Sequence, residues 1–173
     1  MQRADHDLAF MLQYENIAWY EDGKVKILDR RIYPARIEFV ICHTHQEVAQ
    51  AITDMVTQSA GPYTAVPMGM ALAAHECRDK TAAEQMEYLR KAAHTISHAR
   101  PTTVKRMALL CDLCLAEAER ALAAGEDTAQ AIVNKTVELN NTRYERVAKI
   151  GKYLVDLFPE NGTVMTHCFA ETI

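Results

Sequence analysis

Residues Asn16 to Leu28, NIAWYEDGKVKIL, give the first clear indication of how this chain folds. Two runs rich in β-branched and aromatic residues, NIAWY and KVKIL, flank Glu21-Asp22-Gly23. Asp-Gly between two such runs is a strong signal for a β-hairpin. Pro34 interrupts the next connection, and Arg36 to Cys42, RIEFVIC, is a third strand candidate. The chain therefore opens with a small β region, which we assign to residues 1–42.

From Thr44 onward the hydrophobic period is that of a helix. Thr44 and Glu47 have the spacing of a capping box, in which two residues satisfy each other's free backbone N–H groups at a helix start. We expect this helix to end near Ser59 to Pro62, with four residues on its apolar face: Val48, Ile52, Met55 and Val56.

Two further helices are indicated before residue 100. Residues 65–76, AVPMGMALAAHE, predict a buried helix that is kinked or begins near Pro67. A second capping box, Thr81 with Glu84, starts the next helix, whose apolar face carries Met86, Leu89 and Ala93.

Pro101 marks the next break in the helical pattern. Thr102 or Thr103 is expected to cap a helix that runs from Val104 to Ala124. Gly125 directly follows it, in the position where a left-handed glycine commonly ends a helix.

The last helix is predicted to start at Asp127 and to end before Pro159, and a short strand, Thr163 to Cys168, follows it. The predicted fold class is mainly α with a small N-terminal β region. We assign residues 43–161 to a helical domain and residues 162–173 to the start of a further unit.

The net charge, the lengths of the apolar runs and the number of cysteines argue against several classes of protein. The net charge of the 173 residues is −4, with acids and bases intermixed, so we expect no nucleic-acid partner. No apolar run is long enough to span a membrane, and the acidic N-terminal residues do not resemble a signal peptide. The five scattered cysteines argue against a disulfide framework. We therefore expect a cytoplasmic protein in a reducing environment.

Cys168 closes the predicted terminal strand. If a helix begins just beyond it, the helix N-terminus would lower the pKa of the thiol. His167 is its neighbour, but successive residues of a strand face opposite sides, so the two need not form a dyad. The alternative is that Cys168 is a small buried apolar residue, and the local sequence leaves both interpretations open.

The segment Arg100-Pro101-Thr102-Thr103 is a candidate anion site. Pro101 presets the backbone for a helix start, and the free N–H groups of the helix would join the Arg100 guanidinium and two hydroxyls around a phosphate. The alternative is an ordinary capped helix beside a solvated arginine.

Cys111 and Cys114 are interpreted as core thiols, because a redox motif would stand at a helix N-terminus and a zinc site would need two more ligands. His43 and His45 could bind a metal ion, but we interpret them as part of the turn before a capped helix. We predict no metal site and no cofactor.

Five stretches occur in an order that resembles bacterial S-methyl-5-thioribose-1-phosphate isomerases. They are IAWYEDGKVKILDRRIYP at 17–34, QEVAQAITDMV at 46–56, GMALAA at 69–74, ARPTTVKRM at 99–107 and GTVMTHCFAET at 162–172. The same superfamily contains ribose-1,5-bisphosphate isomerases and the regulatory alpha, beta and delta subunits of eukaryotic initiation factor 2B. The order and spacing of the stretches carry the resemblance, more than any one of them.

In that family a helical domain precedes a Rossmann-like α/β domain, and the threonine-histidine-cysteine segment is the first strand of the second domain. The resemblance implies that residues 162–173 are the first strand of a truncated Rossmann-like domain. It also implies a homodimer for the full-length protein and little or no activity for this part alone.

The resemblance further implies a reaction, the conversion of a sugar phosphate of the methylthioribose 1-phosphate type to the ribulose 1-phosphate. Cys168 corresponds to the family's catalytic cysteine, which would move a proton between carbons 1 and 2 or assist a hydride shift. Arg100 corresponds to a phosphate-binding arginine, and Thr102 and Thr103 would complete that phosphate site. The acid that opens the sugar ring, an aspartate, would lie in the second domain.

Two positions depart from the family pattern. The isomerases have an arginine that holds phosphate where this chain has Gln58, and an uncharged amide cannot replace a guanidinium. Losing one charged contact typically weakens binding by about 1.5–3 kcal/mol. Phe169 stands where the isomerases usually have asparagine. We expect Gln58, His167 and Phe169 to line a pocket that differs from that of the isomerases.

Three functions are therefore compatible with the sequence. The first is the N-terminal part of a sugar-phosphate isomerase. The second is a non-catalytic regulatory or ligand-binding protein that resembles the initiation-factor subunits and has no need of Cys168. The third is a separate helical interaction module, whose terminal strand would pair within the β region or with a partner.

Overall fold

The computed structural model describes residues 3–163 and residue 165. Within them the chain is mainly α-helical with a three-stranded antiparallel sheet near the N-terminus, which confirms the predicted fold class. The predicted terminal strand, with His167, Cys168 and Phe169, lies outside the described residues. The Rossmann-like strand and the domain boundaries therefore stay predictions.

The predicted hairpin is present and its turn has the expected geometry. Strands β1, Ala18–Glu21, and β2, Lys24–Leu28, pair antiparallel across a two-residue turn. Both turn residues have positive φ, 49° at Asp22 and 73° at Gly23, as a type I′ turn requires. The prediction of strand at Asn16 and Ile17 was wrong, because both belong to a one-turn helix α1, Tyr14–Ile17, that begins where the Tyr14 N–H donates to the Asp5 carboxylate.

Strand β3, Phe39–Cys42, pairs antiparallel with β2, so the sheet order is β1–β2–β3. The strand begins three residues after its predicted start at Arg36. Residues before it are held in a turn instead, in which the Arg36 N–H donates to the Ile32 carbonyl oxygen at 3.1 Å.

Helix α2, His45–Thr53, begins as predicted, with the Thr44 hydroxyl oxygen accepting from the Glu47 N–H at 3.2 Å. Its predicted end near Ser59 to Pro62 was wrong. The chain leaves the helix after Thr53 because Met55 takes a left-handed conformation, with φ 60°. The Met55 side chain is consequently exposed, whereas the other three residues of the predicted face are buried: Val48, Ile52 and Val56.

Helix α3, Pro62–Glu76, lies at the centre of the domain. Its residues from 64 to 74 are all buried, because α3 contacts α2, both hairpin strands and the three helices that follow. The helix begins at Pro62, where a missing N–H does no harm, rather than near Pro67, which lies inside it. A Cβ at Gly69 would lie 2.9 Å from Val48 Cγ1, so glycine permits the close approach of α2.

Helix α4, Ala82–Ser97, begins at the predicted capping box, in which the Glu84 carboxylate accepts from the Thr81 N–H at 3.0 Å. Helix α5, Val104–Ala124, has the predicted bounds and ends at Gly125, which has φ 67°. The two helices pack on each other and on α3.

Helix α6, Thr128–Val155, is the predicted long final helix, and the Asp127 carboxylate caps it by accepting from the Gln130 N–H at 2.9 Å. It ends four residues before Pro159. Bonds from the N–H groups of Leu157 and Phe158 to carbonyls three residues back tighten the chain into a turn there.

The four described cysteines are buried free thiols, Cys42, Cys77, Cys111 and Cys114. The prediction that the Cys-x-x-Cys pair consists of core thiols is confirmed, since Cys111 and Cys114 are each 2% exposed. Burial raises the pKa of Cys111 to about 12. No helix in the described ranges is both long enough and apolar enough to cross a lipid bilayer.

Two glycines allow a matched test of how backbone conformation affects stability, because one ends a helix and the other lies inside one. Neither an added Cβ at Gly125 nor one at Gly151 would meet another atom within 4 Å, so only the backbone distinguishes them. Gly125→Ala is expected to lower the free energy of unfolding by about 1 kcal/mol, since alanine is strained at positive φ. Gly151→Ala lies inside α6 and should raise it by about 0.5–1 kcal/mol. Urea unfolding would measure both, and changes of the same sign would contradict the prediction.

Candidate functional site

The predicted anion segment forms the connection between α4 and α5. Arg100 has an extended backbone, with φ −140° and ψ 109°, and Pro101–Thr103 form a single 3-10 turn that leads directly into α5. The prediction that a threonine side chain caps α5 was wrong. Thr103 occupies the cap position, but its hydroxyl donates to the Arg100 carbonyl oxygen at 3.4 Å, and Thr102 is exposed.

The electrostatic setting of this connection favours an anion. The Arg100 side chain is half-buried and forms no ion pair with any residue of the described ranges. The first turn of α5 carries no acid and does carry Lys105 and Arg106. The partial positive charge of the helix N-terminus is therefore reinforced rather than neutralised by its neighbours.

Gln58 lies in the loop between α2 and α3, half-buried, and its side-chain amide donates to the Met55 carbonyl oxygen at 3.2 Å. The Thr53 hydroxyl, at the end of α2, donates to the carbonyl oxygen of Ala99 at 2.9 Å. This bond brings the Gln58 loop and the Arg100 connection to the same end of the helical bundle. The roles predicted for these residues stay predictions.

His167, Cys168 and Phe169 lie outside the described residues, so the structure describes neither the candidate catalytic thiol nor its distance to Arg100.

A second polar cluster was not predicted from the sequence. The carboxylate of Glu76, at the end of α3, accepts hydrogen bonds from the His45 N–H at 2.7 Å, from His45 Nδ1 at 2.5 Å and from the Tyr88 hydroxyl at 2.8 Å. The side chains of His45 and Glu76 are 5% and 15% exposed. The three residues belong to α2, α3 and α4, and no spacing in the sequence indicates that they meet.

The hydrogen bonds of this cluster stabilise the ionised form of Glu76. Burial by itself raises the pKa of Glu76, but the hydrogen bonds from His45 and Tyr88 outweigh it and leave the pKa below its ordinary value. Burial and the nearby carboxylate raise the pKa of Tyr88 to about 12. The Glu76 carboxylate thus links three helices through hydrogen bonds. The Nδ1 atom of His45 is used in this link, so it is not available to a metal ion.

The initiation factor 2 subunit family matches residues 60–173. The chain is 30% identical over 156 residues to a methylthioribose-1-phosphate isomerase of Carboxydothermus hydrogenoformans, covering 88% of this chain and 44% of that protein. It is 31% identical over 157 residues to the enzyme of the same name from Roseiflexus castenholzii, with the same coverage. The chain therefore spans less than half the length of these curated relatives.

Two solved structures share the fold. The delta subunit of translation initiation factor eIF-2B from A. fulgidus has a TM-score of 0.60 and 23% identity, covering 83% of this chain and 42% of that one. The 5-methylthioribose 1-phosphate isomerase of Pyrococcus horikoshii has a TM-score of 0.54 and 22% identity, covering 75% and 39%. At these identities the likeness concerns the fold alone.

Proposed function

Because the chain belongs to the initiation factor 2 subunit family, we propose that it is the N-terminal part of a sugar-phosphate aldose–ketose isomerase. The substrate would be a 5-substituted ribose 1-phosphate of the methylthioribose type, and the product the corresponding ribulose 1-phosphate. The full-length protein would act as a homodimer. Relatives with the name methylthioribose-1-phosphate isomerase support this proposal.

One observation carries the proposal. The family match includes both Arg100 and Cys168, and Arg100 lies without an ion-pair partner among the described residues, beside a helix N-terminus with no acid in its first turn. Such a setting suits a phosphate group, since a guanidinium can donate two parallel hydrogen bonds to it.

The proposed mechanism assigns two tasks to this chain. Arg100 and the N–H groups at the start of α5 would hold the phosphate and fix the sugar. Cys168, as thiolate, would take the proton from carbon 2 of the opened aldose and return it to carbon 1 of the enediol, so that no proton or electron is gained overall. The acid that opens the ring would come from the part of the isomerases that this chain does not span.

A non-catalytic, ligand-binding protein is the second candidate, and Gln58 is the observation that favours it. The isomerases have a phosphate-binding arginine at this position, whereas the Gln58 amide is uncharged and bonded within its own loop. Without the arginine, phosphate binding is weaker. A protein that binds a sugar phosphate without converting it can function with this lower affinity.

Arg100→Gln in the full-length protein is expected to raise KM for methylthioribose 1-phosphate at least about tenfold, because a charged hydrogen bond contributes about 1.5–3 kcal/mol. Ketose 1-phosphate formation would be the assay. Arg90→Gln is the control, because Arg90 is exposed on α4 and forms no ion pair in the described ranges. If the wild-type protein binds the sugar phosphate but forms no ketose, the second candidate is correct.

A further inference from the structure

A groove of about 730 Å³ lies between the start of α3, the first half of α5 and the middle of α6. Apolar side chains make up most of its surface, and two of them are strongly exposed, Leu109 at 59% and Leu113 at 42%. Its volume falls within the range of about 300–1,000 Å³ that is usual for small-molecule sites. The candidate phosphate residues, from Gln58 to the Arg100 connection, do not line it.

Three arginines border this groove, Arg106, Arg143 and Arg146, against a single lining acid, Asp112. Within the described residues none of the three forms an ion pair. The groove at the other end of α5 and α6 is different, because its Arg120 is bonded to Glu117 at 2.8 Å and to Glu126 at 2.7 Å. Of these two grooves, only the first therefore has an excess of positive charge.

Aromatic rings hold two of the guanidiniums in place. Arg106 lies 5.4 Å from the centre of the Tyr63 ring, and Arg143 lies 5.3 Å from that of Tyr144. Stacking on a ring restricts the side chain while leaving the N–H groups at the edge of the guanidinium able to donate.

A buried donor provides an independent indication of a ligand. Asn140, on α6, lines the groove and is only 5% exposed, and its Nδ2 finds no acceptor among the described residues. Buried side-chain amides almost always have hydrogen-bond partners. Because the Nδ2 atom is itself closed off from solvent, an oxygen atom of a bound molecule would reach it once the Asn140 side chain turns toward the groove.

We infer that this groove binds an organic phosphate with an apolar body. The apolar surface would receive the body, and the guanidiniums and the Asn140 amide would meet the phosphate oxygens. Three positive charges against one negative charge match the charge of a phosphate monoester dianion. The residues assigned to the phosphate in the proposed function, Arg100, Thr102 and Thr103, do not line this groove, although Arg106 lies close to both places. Either site can therefore fail without the other.

The test is calorimetric titration of the chain with 1-naphthyl phosphate. We expect saturable binding, with inorganic phosphate and 1-naphthol each at least about tenfold weaker, because each offers half of the required contacts. Equal affinity for inorganic phosphate would overturn the inference, and so would the absence of binding by 1-naphthyl phosphate.

Variants locate the site. Arg106→Gln and Arg146→Gln change exposed side chains and should not disturb folding, yet each should weaken binding about tenfold. Asn140→Leu should weaken it as well, with an unchanged circular dichroism spectrum. Arg90→Gln should leave the affinity unchanged, and Arg100→Gln reports whether the probe binds at the candidate phosphate site instead. Unaltered binding by the groove variants, or a loss confined to Arg100→Gln, would overturn the assignment to this groove.

Discussion

Cys168→Ser in the full-length protein is expected to lower kcat by about 10²–10⁴-fold, the usual contribution of a group that transfers a proton in the transition state. A serine hydroxyl has a much higher pKa than a thiol and does not become the base that the enediol mechanism requires. KM should change little, because the phosphate contacts are assigned to Arg100 and its neighbours. Turnover of methylthioribose 1-phosphate under saturating conditions measures the effect.

Cys77→Ser is the control for the loss of a thiol. Cys77 is buried, and its Sγ donates to the Ala74 carbonyl oxygen at 3.6 Å, a bond that a serine hydroxyl can also form. This variant should keep its turnover. Full activity of Cys168→Ser would exclude an isomerase mechanism in which Cys168 transfers the proton. Unchanged ligand affinity without turnover in wild type and Cys168→Ser would support a regulatory role.

Glu76→Ala is expected to lower the stability of the helical bundle strongly. It removes the acceptor of three hydrogen bonds and leaves the buried His45 donors and the half-buried Tyr88 hydroxyl without that partner. Because an unsatisfied buried donor costs about 1–3 kcal/mol, the free energy of unfolding should fall by about 3 kcal/mol. Guanidinium chloride unfolding would measure it.

The control is Glu87→Ala, which breaks an exposed pair with Lys91 on α4 and should leave the unfolding midpoint unchanged. Equal midpoints for Glu76→Ala and wild type would show that the cluster does not hold the three helices together.

The same cluster makes stability depend on pH in a defined direction. The pKa of Glu76 is lower in the folded chain than its ordinary value of 4.5, so the folded state favours the carboxylate. Its stabilising contribution is complete above pH 4.5 and is lost as the pH falls through the folded pKa. Glu76→Gln should therefore differ most from wild type near neutral pH and least in acid. A difference that grows in acid would contradict this assignment.

Local signals predicted the fold best. Asp22 and Gly23 fixed the hairpin, and the Thr81 and Gly125 signals placed helix ends correctly, because turns and caps depend on residues adjacent in sequence. The end of α2 was missed because Met55 takes a left-handed backbone that its residue type does not favour. Tertiary contacts with Asp5 similarly converted the predicted start of β1 into a helical turn.

The candidate sites show the same limit. The Arg100 segment could be recognised, because its proline and threonines are contiguous, but the hydroxyl of Thr103 turned out to serve the turn rather than the helix. The Glu76 cluster and the groove around Asn140 assemble residues from three helices each. Their members are ordinary in sequence and acquire a role only when the helices pack.

The complete burial of the middle of α3 has a consequence for the dynamics of the domain. It contacts α2, both hairpin strands and the three later helices, so residues 64–74 become exposed to water only when several of these elements move apart. Their amide protons should exchange with deuterium only through global opening. The exchange rate in α3 would thus report the unfolding equilibrium under native conditions, and a ligand at either candidate site should slow it by the factor 1 + L/Kd, where L is the free ligand concentration.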